Sequence, residues 1–133
     1  MGYLRAPPRF FDHGHMCYKY LMKIIDSPIS QGELKVMAEG RFGNLVKAVV
    51  DVERKVMAVD GELHADEEAL LLENGSLQEN LWGINIYPEL EGPDRIEFDS
   101  VINIRPSQGN RSRGVDDPVI RERIVQAVTG LLK

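Results

Sequence analysis

The chain has 133 residues, 43% of them hydrophobic, and a formal net charge of −5. That length and composition suit one domain with a substantial core. The negative balance argues against broad, non-specific nucleic-acid binding, and no apolar run approaches the ~20 residues a membrane-spanning helix needs.

The first 21 residues differ from the rest. Pro7, Pro8, His13, Gly14 and His15 follow no period, which predicts an N-terminal extension, 1–21, without regular structure. It lacks the apolar stretch of a signal peptide. It also carries the lone cysteine, Cys17. One cysteine allows no intrachain disulfide, which points to a reducing cytoplasm. The single domain, 22–133, is expected to begin at Met22-Lys23-Ile24-Ile25.

Ser30 and Glu33 have capping-box spacing, with Ile29 placed to staple onto Leu34. Leu34, Met37 and Ala38 then form one helical face, and Gly40 is a natural stop. Two alternating runs follow, Leu45 to Glu53 and Val56 to Ala65, and joined by Arg54-Lys55 they read as a hairpin. A two-residue turn would set Val50 opposite Val59, Val46 opposite Leu63 and Lys47 beside Glu62. Asp66 is placed to cap a short helix, Glu67 to Glu73, ended by Asn74-Gly75. A strand over Ala69 to Glu73 with an Asn-Gly turn is the rival reading.

Leu81 to Tyr87 is a further strand, with Trp82, Ile84 and Ile86 on its apolar side. Arg95 to Arg105 reads as the longest strand: Ile96, Phe98, Ile102 and Ile104 are apolar, and Arg95, Glu97, Asp99, Asn103 and Arg105 polar. Pro118 to Leu132 is a helix striped by Ile120, Ile124, Val128 and Leu131. The expected fold is α+β: an antiparallel sheet of four or five strands, with two main helices on its apolar face in a two-layer sandwich.

Three places carry candidate chemistry. The first is RPSQGNRSRG, Arg105 to Gly114, with three arginines, two serines and no acid. Arg105, Arg111 and Arg113 could meet a phosphate or carboxylate, with Ser107, Asn110, Ser112 and backbone N–H groups completing a cradle. No P-loop spacing is present, and Asp116 and Asp117 already stand at the start of the following helix. The alternative is a structural loop that satisfies its own polar groups. Asn85, Tyr87 and Asn103 are secondary ligand contacts on this reading.

The second is Glu62-x-His64-x-Asp66. If the strand ran through it, a period of two would send all three side chains to one face, a set that could hold a divalent metal. A helix cap at Asp66 or a Lys47–Glu62 pair would dissolve the set. The third is the polar sheet face, where Asp60, Glu62, His64, Asn85, Glu97, Asp99, Asn103 and Arg105 would gather; plain exposure is the alternative. Trp82 reads as core.

Three stretches stand out together: Glu62-Leu63-His64-Ala65-Asp66-Glu67, Trp82-Gly83-Ile84-Asn85-Ile86-Tyr87-Pro88, and Ile102 to Ser112. On these, residues from about Met22 to Lys133 resemble a family of small bacterial and archaeal proteins defined as a domain of unknown function. The resemblance implies no activity, cofactor or catalytic residue.

The leading expectation is a binding module for a small anionic, phosphate-bearing ligand. A divalent-metal-dependent phosphoester hydrolase and a self-associating interaction protein are the alternatives. The last rests on charge placement: Val56 to Asp94 holds ten acids and no Lys or Arg, which could order a homo-oligomer or simply be a solvated face.

Overall fold

The computed structural model describes the strand Tyr3–Arg5 and residues 21–133. The expectations for 6–20, including Cys17, His13 and His15, lie outside the described residues. The elements are β1 (Tyr3–Arg5), β2 (Lys23–Ile25), α1 (Gln31–Glu39), β3 (Val46–Asp51), β4 (Val56–Val59), α2 (His64–Glu73), β5 (Leu81–Ile86), β6 (Ile96–Glu97) and α3 (Pro118–Leu131). The strands form one antiparallel sheet in the order β1-β2-β4-β3-β5-β6. Five of them fall within 22–133, and β1, from the segment expected to lack regular structure, pairs on the sheet edge beside β2.

The fold is α+β. Alternation sends Val46, Ala48, Val50, Met57, Val59, Trp82, Ile84 and Ile86 to one face of the sheet. There they pack with Leu34, Met37 and Ala38 of α1 and Ile124, Ala127, Val128 and Leu131 of α3. Val49 and Ala58 point the other way, into a smaller cluster with Leu70 and Leu71 of α2. Both main helices start as their sequences predict. The Ser30 hydroxyl accepts from the Glu33 N–H at 3.1 Å, and Asp117 accepts from the Val119 N–H at 2.8 Å. No helix among the described residues is long and apolar enough to cross a membrane.

Three elements depart from expectation. The β3–β4 register is displaced by two residues: Val50 faces Met57 and Ala48 faces Val59. The cause is Asp51, a fully buried carboxylate. It accepts from the N–H groups of Glu53 and Arg54 and from the Ser76 hydroxyl at 2.6 Å. That holds a wider turn, Val52 to Lys55, with Lys55 at φ 58°. A shift by two keeps every side chain on its face, so the core pattern survives.

β4 stops at Val59, because Asp60 turns left-handed at φ 67°. At Gly61 a Cβ would lie 2.8 Å from Glu67 Cγ and 3.0 Å from Met22 Sδ; only glycine fits so close an approach. The helix therefore begins at His64, with Leu63 and not Asp66 at its N-cap.

The long strand expected over Arg95 to Arg105 is replaced by the two-residue β6 and two 3-10 turns, Val101–Asn103 and Pro106–Gln108. Ser100 caps the first turn through its hydroxyl, which accepts from the Ile102 N–H at 3.3 Å. Polar local bonding of this kind competes with a strand ladder, and Ile104 is left exposed on the surface.

Candidate functional site

The short β6 leaves most of the outer edge of β5 without a strand partner. One side chain serves part of it. The Asn103 carboxamide accepts from the Gly83 N–H at 2.8 Å and donates to the Gly83 carbonyl at 2.9 Å. His64, from the first turn of α2, meets β5 elsewhere, bonding through Nε2 at 2.7 Å to the carbonyl of Ile84, which pairs with Ala48 of β3. A carbonyl can only accept, so His64 carries its proton on Nε2. Burial lowers the His64 pKa, against the opposing effect of that backbone bond. The imidazole is thus held neutral and aimed at the sheet.

This placement separates the proposed metal trio. His64 and Asp66 lie on a helix, not a strand, so the period of two fails. Glu62 stands 3.4 Å from Arg41, which also pairs with Asp60 at 3.0 Å. Lys47 faces Asn85 across the β3–β5 pair instead of Glu62. Among the described residues, no group of three or more His, Cys, Asp or Glu could hold a metal ion.

Part of the expected polar face does assemble. Asn85 donates to Glu97 at 2.8 Å, Tyr87 donates to the same carboxylate oxygen at 3.0 Å, and Asp99 pairs with Arg113 at 2.6 Å. Asn85 Oδ1 is buried without a partner. The remaining capacity of this network is therefore small, and most of its groups are already bonded to one another.

The loop Arg105 to Gly114 is knotted by its own polar side chains. Asn110 is buried. Its amide donates to the carbonyls of Asn103, Ser112 and Gly114, and its Oδ1 accepts from the Asp116 N–H. Arg105 is spent on main-chain carbonyls, those of Gln78, Leu81 and Ile102, and its guanidinium lies 4.3 Å from the Trp82 ring centroid. Arg113 is committed to Asp99. Ser107 is exposed at the tip, and no hydrogen bond holds the Arg111 side chain.

An anion does lie in the cradle, and it belongs to the protein. The Asp116 carboxylate accepts from the Ser112 hydroxyl at 2.6 Å and from the Arg111 N–H at 3.1 Å. These bonds, the hydroxyl first, hold its pKa below the ordinary carboxylate value. Two of the groups expected to form a cradle, the Ser112 hydroxyl and a backbone N–H, are thus bonded to a carboxylate of the same chain.

Outside the loop, a second arginine is uncommitted, and unlike the exposed Arg111 it is partly buried. Arg95, at the end of the 3-10 turn Gly92–Arg95, has its Nε buried without a hydrogen-bond partner. No ion pair engages it among the described residues. Arg95 lines a cavity of about 270 Å³ with Gln31, Leu34, Pro88, Leu90, Glu91 and the C-terminal Leu132 and Lys133. Three segments build it. Gln31 opens α1 and ties down the 88–95 loop by donating to the Pro88 carbonyl at 2.6 Å. The Tyr87 N–H donates to the Arg95 carbonyl at 2.8 Å, closing the loop at its base. The C-terminus is fixed beside α1 by the Lys133 N–H, which donates to the Ile29 carbonyl. A wider groove of about 660 Å³, lined by Lys23, Met37, Arg41 and Asp60 among others, has its arginine already neutralised by Asp60.

Sequence reasoning missed this cavity, since it joins residues from positions 31 to 133. One signal was available: Arg95 is the first cation after the run from Val56 to Asp94 that contains none.

No curated protein and no solved structure matches the chain. One family model does match, over residues 23–131, and the chain belongs to that family, described as a protein of unknown function, DUF5674.

Proposed function

We propose that this protein is a small binding module for an anionic ligand, and that the ligand sits in the Arg95 cavity, not in the Arg105 to Gly114 loop. The observation that carries the reading is Arg95 itself: a guanidinium nitrogen buried with no partner, in a residue lining a concave, partly apolar cavity. A buried donor left unsatisfied costs roughly 1–3 kcal/mol, more when it is charged. An anion in the cavity that Arg95 lines would set negative charge beside that guanidinium and offset part of the cost. Ligand sites are typically concave and apolar with a few convergent polar groups, and this one has Arg95 and Gln31. The loop supports the same conclusion from the other side: Arg105 and Arg113 are already bonded, Arg111 is exposed, and Asp116 takes the Ser112 hydroxyl and the Arg111 N–H. A cytoplasmic setting suits the single cysteine.

Thermal unfolding with acetate, butyrate and inorganic phosphate tests the reading, since any ligand of the native state raises the melting temperature. The rise is expected in the wild type and in the Arg111→Ala/Arg113→Ala variant, and it is expected to vanish in Arg95→Leu. A rise that survives Arg95→Leu and disappears in the double variant would return the site to the loop.

A further inference from the structure

We infer that the Arg95 cavity selects a monocarboxylate bearing a short aliphatic chain, an inference that rests on the anionic-ligand reading above. The number of donors argues for a carboxylate. One guanidinium fork matches the two oxygens of a carboxylate in a planar, bidentate pair. A phosphate dianion presents three oxygens and a second charge. The cavity lining also holds one further cation, Lys133, and a carboxylate of its own, Glu91, so its charged side chains leave one net positive charge, which suits a monoanion over a dianion. The helix start nearby cannot make up the difference, because Ser30 already takes the Glu33 N–H at the N-terminus of α1.

The rest of the lining argues for the aliphatic chain. Leu34, Pro88, Leu90 and Leu132 supply apolar surface from three separate segments, and Leu34 is buried at the base of α1. Leu90 is 45% exposed, so an aliphatic ligand would cover apolar surface that now faces solvent. At about 270 Å³ the cavity lies near the lower end of the range for small-molecule sites, which favours a few carbons over a long chain. Charge at one end and apolar surface around it describe an amphipathic acid.

Isothermal titration of the full chain with acetate, butyrate, isovalerate, hexanoate and inorganic phosphate tests this. Affinity should rise about fourfold per added methylene until the cavity is full, the gain expected for burying each CH₂. Arg95→Leu should weaken isovalerate by about tenfold or more, and Arg95→Lys should recover only part of it, because lysine keeps the charge and loses the fork. Leu90→Ser, at a position 45% exposed, should flatten the chain-length dependence while acetate binding persists. Phosphate binding that depends on Arg95, with no gain along the carboxylate series, would overturn the ligand class and leave the anion site standing. Failure of every anion to bind would overturn both.

Discussion

The carboxamide of Asn103 grips the backbone of Gly83 at both ends, N–H at 2.8 Å and carbonyl at 2.9 Å, as a neighbouring strand would. The same side chain donates to the Arg113 carbonyl at 2.9 Å. One residue thus closes the open edge of β5 and anchors the far end of the loop that follows. Replacing Asn103 by alanine strands the Gly83 groups, buried in the interior, and should lower stability by about 2–4 kcal/mol. Chemical denaturation would show the midpoint fall with little change in slope; an unchanged midpoint would mean that water or another group serves the edge equally well.

Gly83 is required for a second reason. A Cβ there would lie 2.6 Å from the Ser100 side chain. Gly83→Ala should therefore destabilise by about 1–3 kcal/mol through overpacking. Adding Ser100→Gly to it should restore part of the loss in the same denaturation experiment. If the second substitution deepens the loss, the Ser100 cap on the following turn matters more than the contact.

Two buried residues give stability opposite dependences on pH. Glu67 is fully buried, and burial drives its pKa well above the ordinary 4.5, against the bond it accepts from the Gly61 N–H. Its folded value exceeds its unfolded one, so its contribution is complete below about pH 4.5 and is lost as pH rises through the folded value. Glu67→Gln should remove that alkaline loss. His64 is the reverse case: burial lowers its folded pKa from 6.5. Its contribution is complete above that value and is lost as pH falls through the folded one. Melting temperature measured from pH 4 to 9 separates the two, since Glu67→Gln should remove the loss that sets in above about pH 4.5 and leave the loss that sets in as pH falls below 6.5. A variant curve parallel to the wild type would contradict the assignment.

The loop makes a prediction of its own. With the Asp116 carboxylate removed, as in Asp116→Ala, the Ser112 hydroxyl and the Arg111 N–H lose their anion. Inorganic sulfate should then stabilise the variant more than it stabilises the wild type, read as the shift in melting temperature with sulfate concentration. Equal shifts would show that the cradle collapses without its carboxylate.

Much of this molecule is legible from residue order, and the rest is hidden for a definable reason. Helices α1 and α3 can be read because Ser30, Asp117 and the stripes of Leu34, Met37, Ile124 and Val128 are local signals. Strand β5 can be read for the same reason. The long strand through Ile102 is a false reading: its alternation is real, but Ser100 and Asn103 use their side chains on backbone and fold the segment into turns. The metal trio fails because one left-handed residue, Asp60, ends a strand that its hydrophobic pattern would continue. In the loop the sequence shows which polar groups are present, and what it cannot show is that Asp116 folds back onto Ser112 and the Arg111 N–H. The Arg95 cavity is the least legible of all, because its lining spans positions 31 to 133 and only the tertiary fold brings them together.

The most direct test of the central claim is a ¹H–¹⁵N NMR titration of the full chain with isovalerate. The account predicts that the amides perturbed at saturation cluster at Gln31, Leu34, Leu90, Glu91 and Arg95, with Ser107 to Gly114 unmoved. Perturbations concentrated at Arg111, Ser112 and Gly114, with the Arg95 cavity silent, would contradict it.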